Sequence, residues 1–179
     1  MERNLTHIAL FAALIAVLGL VPKIDLVAVP ITAQSLGIML CGTVLGAKRG
    51  ALAVLLFLAL VALGLPLLAG GRGGLGVFVG PSAGYLVGFP LGAFVAGWIV
   101  EKWSAPIGIA ALAGAFAGGI VVVTLCGIAG MALVLGKTLP EATLLALPFL
   151  AGDLLKVAIC AALTRGLARL RPEALLSRA

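Results

Sequence analysis

The chain has 179 residues, of which 63% are apolar and only 10% charged, with a formal net charge of +6. No soluble domain of this length needs so much apolar surface, so the composition excludes a soluble enzyme and implies a polytopic membrane protein. The excess of positive charge sits at the ends of the apolar runs, which makes it a signal of membrane orientation and not of nucleic-acid binding.

Six spans can be drawn in chain order, and no linker or change of composition divides them, so residues 1–179 are expected to form a single six-helix transmembrane domain. The first runs from about Leu5 to Leu20 and stops near Pro22; further spans and no small-residue cleavage site follow it, so it reads as a helix and not as a signal peptide. Within it Ala9 and Ala13, with Ala12 and Ala16, make two overlapping small-xxx-small pairs of the kind that let helices approach closely. The second span, about Thr32 to Gly46, and the third, Ala51 to about Leu65, are short and are joined by the basic turn Lys48-Arg49. A Gly-rich stretch, Gly70-Gly71-Arg72-Gly73-Gly74-Leu75-Gly76, then leads to a fourth span from near Pro81 to Val100. Gly80, Gly84, Gly88 and Gly92, continued by Ala96, recur every four residues there and predict a close helix contact; Pro81 suits a first helical turn and Pro90 a kink or an unpaired carbonyl. The fifth span occupies about Ile107 to Leu135 and the sixth about Glu141 to Leu167, both longer than a vertical crossing requires.

Lysines and arginines set the expected orientation. With the amino terminus inside, the inner ends carry Arg3, Lys48, Arg49, Lys102, Arg165, Arg169, Arg171 and Arg178, and the outer ends only Lys23, Arg72 and Lys137. That asymmetry places both termini in the cytoplasm and the Gly-rich stretch outside.

The motifs that suggest chemistry are few. Gly71 to Gly76 matches G-x-G-x-x-G literally but lies in no βαβ unit, so what remains is a flexible loop with free backbone N–H groups that could close over an anion. No Walker A motif is present. His7 belongs to no triad or metal-ligand pattern in the sequence, and Cys41, Cys126 and Cys160 are widely spaced inside apolar runs; neither a metal site nor a disulfide framework is expected. Trp98 and Trp103 read as anchors at the inner interface.

The exception is Gly152-Asp153-Leu154-Leu155-Lys156 in the sixth span. Each charge at the centre of a membrane helix costs roughly 2.5–3.5 kcal/mol on insertion scales. Three residues of helix turn about 300° and rise about 4.5 Å, so the two side chains lie on neighbouring faces and can share a partner or each other. Three roles fit: an ion pair that ties the helix into the bundle, a proton or coupling-ion site, or a ligand site. A single acid with no relay to either surface argues against the second, and an enzyme using Asp153 as acid or base would need a second catalytic group that is not apparent. A neutral pair offers both an acceptor and a charged donor to a polar, uncharged head group, with Tyr85, Gln34 and Thr32 as further polar candidates.

Gly70-Gly71-Arg72-Gly73-Gly74, Gly80-Pro81-Ser82-Ala83-Gly84-Tyr85-Leu86-Val87-Gly88-Phe89 and Gly152-Asp153-Leu154-Leu155-Lys156 together resemble the BioY family, the biotin-binding S components of energy-coupling factor (ECF) vitamin transporters. The likeness extends over nearly the whole chain. It implies an all-α integral membrane protein, a compact bundle of six transmembrane helices in the cytoplasmic membrane of a bacterium or archaeon. It also implies high-affinity capture of biotin from outside, a transmembrane T component and a pair of ATPases as partners, no catalytic residues and no cofactor or metal. On the same grounds the ligand site comprises Asp153, Lys156, Tyr85, Arg72, Gly73, Gly74 and Gly84, and the strip Ala9, Ala12, Ala13 and Ala16 meets the membrane partner.

Overall fold

In a computed structural model, which describes residues 2–22, 24–25 and 30–178 and side chains from 4–22 and 32–178, the chain is a bundle of six helices. These are α1 (Glu2–Leu18), α2 (Gln34–Leu45), α3 (Ala47–Ala62), α4 (Ala83–Lys102), α5 (Ile107–Leu135) and α6 (Leu139–Leu170). Lys23, one of the cations assigned to the outer ends, lies outside the described residues. Between α1 and α2 the only regular structure among the described residues is a two-residue antiparallel pairing, Ile24–Asp25 with Pro30–Ile31. By length and composition α4, α5 and α6 can cross a membrane, with 20, 29 and 32 residues. The second and third helices are short, as expected: α2 has 12 residues, which at 1.5 Å each reach only about 18 Å.

The short pair turns back on itself at Gly46, whose φ of +88° belongs to the region that only glycine enters readily. A side chain there would also collide with the carboxylate of Glu101, which accepts a 2.9 Å hydrogen bond from the Ala47 N–H at the start of α3. The core is centred on α2, buried on every side from Gly37 to Leu45, and draws on the other five helices, with Ile15, Ile38, Met39, Val54, Phe57 and Val61 almost wholly buried.

The glycine row of α4 makes the contact its spacing predicts. Gly84 lies against Cys126 and Gly130 of α5, Gly88 against Val123 and Cys126, and Gly92 against Gly118, so the two backbones nearly touch along several turns. Gly80 is not part of that row, because α4 begins at Ala83 and a side chain at Gly80 would meet nothing closer than 4.0 Å. Pro81 accordingly precedes the N-cap Ser82 instead of opening the helix, and Pro90 is held inside a helix that continues past it. Within α5, the residues Ala115–Val122 are wound as a π-helix, flanked by α-helical Ile107–Gly114 and Val123–Leu135.

α6 starts with a capping box: Thr138 N and Oγ1 both donate to Glu141 Oε2 at 2.8 Å, and Pro140 occupies the first turn where its missing N–H is no loss. After α6 the chain folds under one end of the bundle through the short turns Pro172–Ala174 and Leu176–Arg178. Leu175, Leu176 and Ser177 are buried there. Ser177 Oγ donates to the Thr43 carbonyl (2.6 Å), and Arg49 donates to the Leu176 carbonyl (2.8 Å).

Candidate ligand cavity

At the opposite end the helices part around a cavity. Its wall is made by Thr32, Gln34 and Ser35 at the start of α2, Leu68 and Arg72 in the connection after α3, Ser82, Tyr85, Leu86 and Phe89 of α4, Val123 of α5, and Phe149, Asp153 and Lys156 of α6. The i, i+3 spacing does bring the two charges together: Lys156 Nζ lies 2.8 Å from Asp153 Oδ1, with the side chains only 14% and 15% exposed. Ser35 completes a triangle. Its hydroxyl donates to Asp153 Oδ1 (3.2 Å) and accepts from Lys156 Nζ (2.9 Å).

The arithmetic of donors and acceptors leaves capacity facing the cavity. Lys156 has three N–H donors and spends two, and Asp153 bonds through one of its two oxygens among the described residues. Across from them the Tyr85 hydroxyl is buried and has no hydrogen-bond partner among the described residues. An orphan of that kind ordinarily costs about 1–3 kcal/mol, and a polar ligand arriving in the cavity would relieve it. The Tyr85 ring meets Phe149 at a centroid distance of 6.2 Å and an angle of 53°, a tilted aromatic pair that fixes the hydroxyl's position. Apolar and aromatic walls with a few convergent polar groups suit a small organic molecule with one polar head.

Gln34, expected as a polar contact, is a scaffold residue instead. Its amide donates to the carbonyls of Ile15 (3.1 Å) and Leu67 (3.0 Å) and accepts from the Ala69 N–H (2.9 Å), so it is spent on tying α1, α2 and the following connection together. That connection is not the loose loop with free N–H groups that its glycines suggest. Leu68 and Arg72 exchange backbone hydrogen bonds (3.0 and 3.2 Å), and Gly74 donates to the Val61 carbonyl (2.8 Å). Arg72 is thereby set on the cavity wall, its Nε donating to the Ala69 carbonyl at 3.2 Å.

Of the seven expected ligand residues, Asp153, Lys156, Tyr85 and Arg72 line one cavity, while Gly73, Gly74 and Gly84 do not. Gly73 is pressed against the Leu65 carbonyl and Gly84 against Gly130, so both serve backbone packing. Ser35 and Phe149 escaped the sequence reading. Phe149 was within reach of it, since i−4 from Asp153 lies on the same helix face.

The alanine strip on α1 divides in two. Ala9 and Ala13 are exposed, whereas Ala12 is buried in the core and Ala16 packs against it. Ala12 therefore cannot belong to an outer docking face; the i, i+3 offset rotates it inward.

Fold and cavity together define a polytopic α-helical membrane protein with a solute-sized polar site between its helices. The chain belongs to the BioY family, whose model matches residues 2–173. It is 55% identical to the biotin transporter BioY of Rhodobacter capsulatus over 99% of this chain and 100% of that one. With the biotin transporter BioY of Rhizobium etli it shares 47% identity over 91% of each. Among solved structures, the S component for biotin from an ECF-type ABC transporter superposes with a TM-score of 0.87 at 31% identity, covering 94% of this chain and 92% of the other.

Proposed function

We propose that this protein captures biotin at the cavity and delivers it across the cytoplasmic membrane as the S component of an ECF transporter, forming one substrate-binding unit. The observation that carries the reading is the Asp153–Ser35–Lys156 triangle, which retains unused hydrogen-bonding capacity beside an orphaned Tyr85 hydroxyl. Biotin's ureido head is neutral and offers N–H donors and a carbonyl acceptor, so it matches a carboxylate and an ammonium that already neutralise each other. Burying its charged carboxylate instead would cost far more. In this pose Asp153 accepts from a ureido N–H, Lys156 donates to the ureido oxygen, and the carboxylate points toward Arg72. Among the described residues no second carboxylate or histidine lines the cavity, so no proton relay leads from Asp153, which disfavours a proton-coupled carrier.

Equilibrium binding of labelled biotin to the purified protein tests the proposal: saturable, one-to-one binding is expected, and its absence from folded protein overturns it. Biotin amide tests the pose, since it should bind nearly as well as biotin if the carboxylate points outward and much worse if Lys156 holds it. Energy for uptake comes from a T component and paired ATPases, and the exposed Ala9 and Ala13 face of α1 is the docking surface for the T component. Ala9→Trp with Ala13→Trp should leave biotin binding intact while abolishing co-purification of the T component. Both termini are cytoplasmic in this arrangement, so a cysteine at Arg72 should react with an impermeant thiol reagent from outside and one at Lys48 should not.

A further inference from the structure

We infer that the groove between the start of α5 and the end of α6 is a binding site for an anionic phospholipid. It is lined by Pro106, Ile107, Gly108 and Ile109 on one side and by Arg165, Ala168 and Arg169 on the other. Both arginines are exposed, and neither forms an ion pair or hydrogen bond among the described residues. No carboxylate lines the groove. Glu101, the acid nearest in sequence on the α4 side, is engaged by the Ala47 N–H, and Glu173 sits 3.6 Å from Arg171. Arg178 adds a third guanidinium to the same connection, donating to the Trp103 and Ala105 carbonyls at 2.7 and 3.0 Å.

The groove's walls decide what kind of anion fits. The aliphatic stem of Arg165 lies over Gly108, whose lack of a side chain gives it room, and this directs the stem along apolar surface while the head stays at the polar level. Besides Ile109, which lines the groove, Leu112 and Phe116 of α5 and Leu163 of α6 are exposed apolar residues on the same two helices. Trp98 and Trp103, both about half exposed, mark the interfacial level. A ligand that matches must carry a phosphate at the arginines and acyl chains along the apolar flank. A basic pocket between membrane helices at that depth is the arrangement that holds acidic lipid head groups.

The test uses protein in a neutral detergent with biotin present, incubated with phosphatidylglycerol, with phosphatidylcholine of the same acyl chains, or with glycerol phosphate, and then analysed by native mass spectrometry. At least fivefold more phosphatidylglycerol than phosphatidylcholine should be retained. Arg165→Gln with Arg169→Gln should erase that preference while leaving biotin binding unchanged. Equal retention of the two lipids by the unaltered protein, or an unchanged preference in the double variant, overturns the inference. Displacement of phosphatidylglycerol by an equal concentration of glycerol phosphate also overturns it, by assigning the site to a soluble phosphate. If the double variant does not fold, Arg169→Gln alone should lower the preference at least twofold, and no change would count against the site.

Discussion

Two polar clusters lie along the same seam between α2 and α6, and they are built to opposite ends. Toward the cavity, the charged Asp153 and Lys156 and the hydroxyl of Ser35 are partly exposed and left with spare donors and acceptors. Two turns further along, Thr43 bonds to Thr164 (2.9 Å) and contacts Cys160 Sγ (3.4 Å), and Ser177 caps the Thr43 carbonyl; all of these are buried. The first cluster is an incomplete network that waits for a partner, and the second is complete without one. Burial alone therefore does not single out the proposed ligand site. Unspent hydrogen-bonding capacity does.

The comparison can be broken most severely at Asp153. Asp153→Ala leaves the Lys156 ammonium half-buried with only Ser35 to bond, and removing one member of a buried pair costs about 3–5 kcal/mol, somewhat less here because both groups keep partial solvent contact. Biotin affinity should fall at least roughly 100-fold, read by equilibrium binding on variant protein whose folding has been checked by size exclusion. An unchanged affinity would make the cavity cluster as purely structural as the sealed one. Thr43→Val should act on stability only. It takes one partner from the Thr164 hydroxyl, which keeps Cys160 Sγ, at a cost of about 1 kcal/mol, seen as a lowered melting temperature with unaltered biotin affinity. Ser35→Ala is a similarly mild change, because Asp153 and Lys156 still hold each other; a loss of about 1 kcal/mol, or roughly fivefold in affinity, is expected. If Ser35→Ala lowered the melting temperature as Thr43→Val does, without touching binding, the distinction between the clusters would be lost.

Sequence reasoning reached the first cluster through its cost: two charges in an apolar run demand an explanation wherever they fall. Ser35 carries no such cost, since a serine in a membrane helix can satisfy itself on its own backbone, so nothing singled it out. The alanine strip shows a different limit. Residue type identified four small side chains, but only the packing of α1 on α2 and α3 decided that Ala9 and Ala13 face out while Ala12 faces in. Gly84 makes the helix contact that its four-residue spacing predicts, and it packs against Gly130 instead of lining the cavity its motif pointed to. The start of α6 lies two residues before the Glu141 expected for the sixth span, because Thr138-x-x-Glu141 forms a capping box that opens the helix at Leu139. The π-helical stretch of α5 was not legible in the sequence, as backbone winding of this kind has no residue signature of its own.

That stretch has a consequence for how the helix tolerates change. A π turn closes its hydrogen bonds one residue further along than an α turn, so Ala115–Val122 holds one residue more than the same length of α-helix would. Deleting a residue from an ordinary membrane helix swings everything beyond it by about 100°. In α5 the surplus residue is the one whose loss the flanking segments can absorb, by relaxing to α geometry while Val123 stays on the cavity and Gly130 stays against Gly84. A single-residue deletion between 115 and 122 should therefore leave a folded, biotin-binding protein, whereas the same deletion between 124 and 130 would turn Gly130 away from α4 and destroy the bundle.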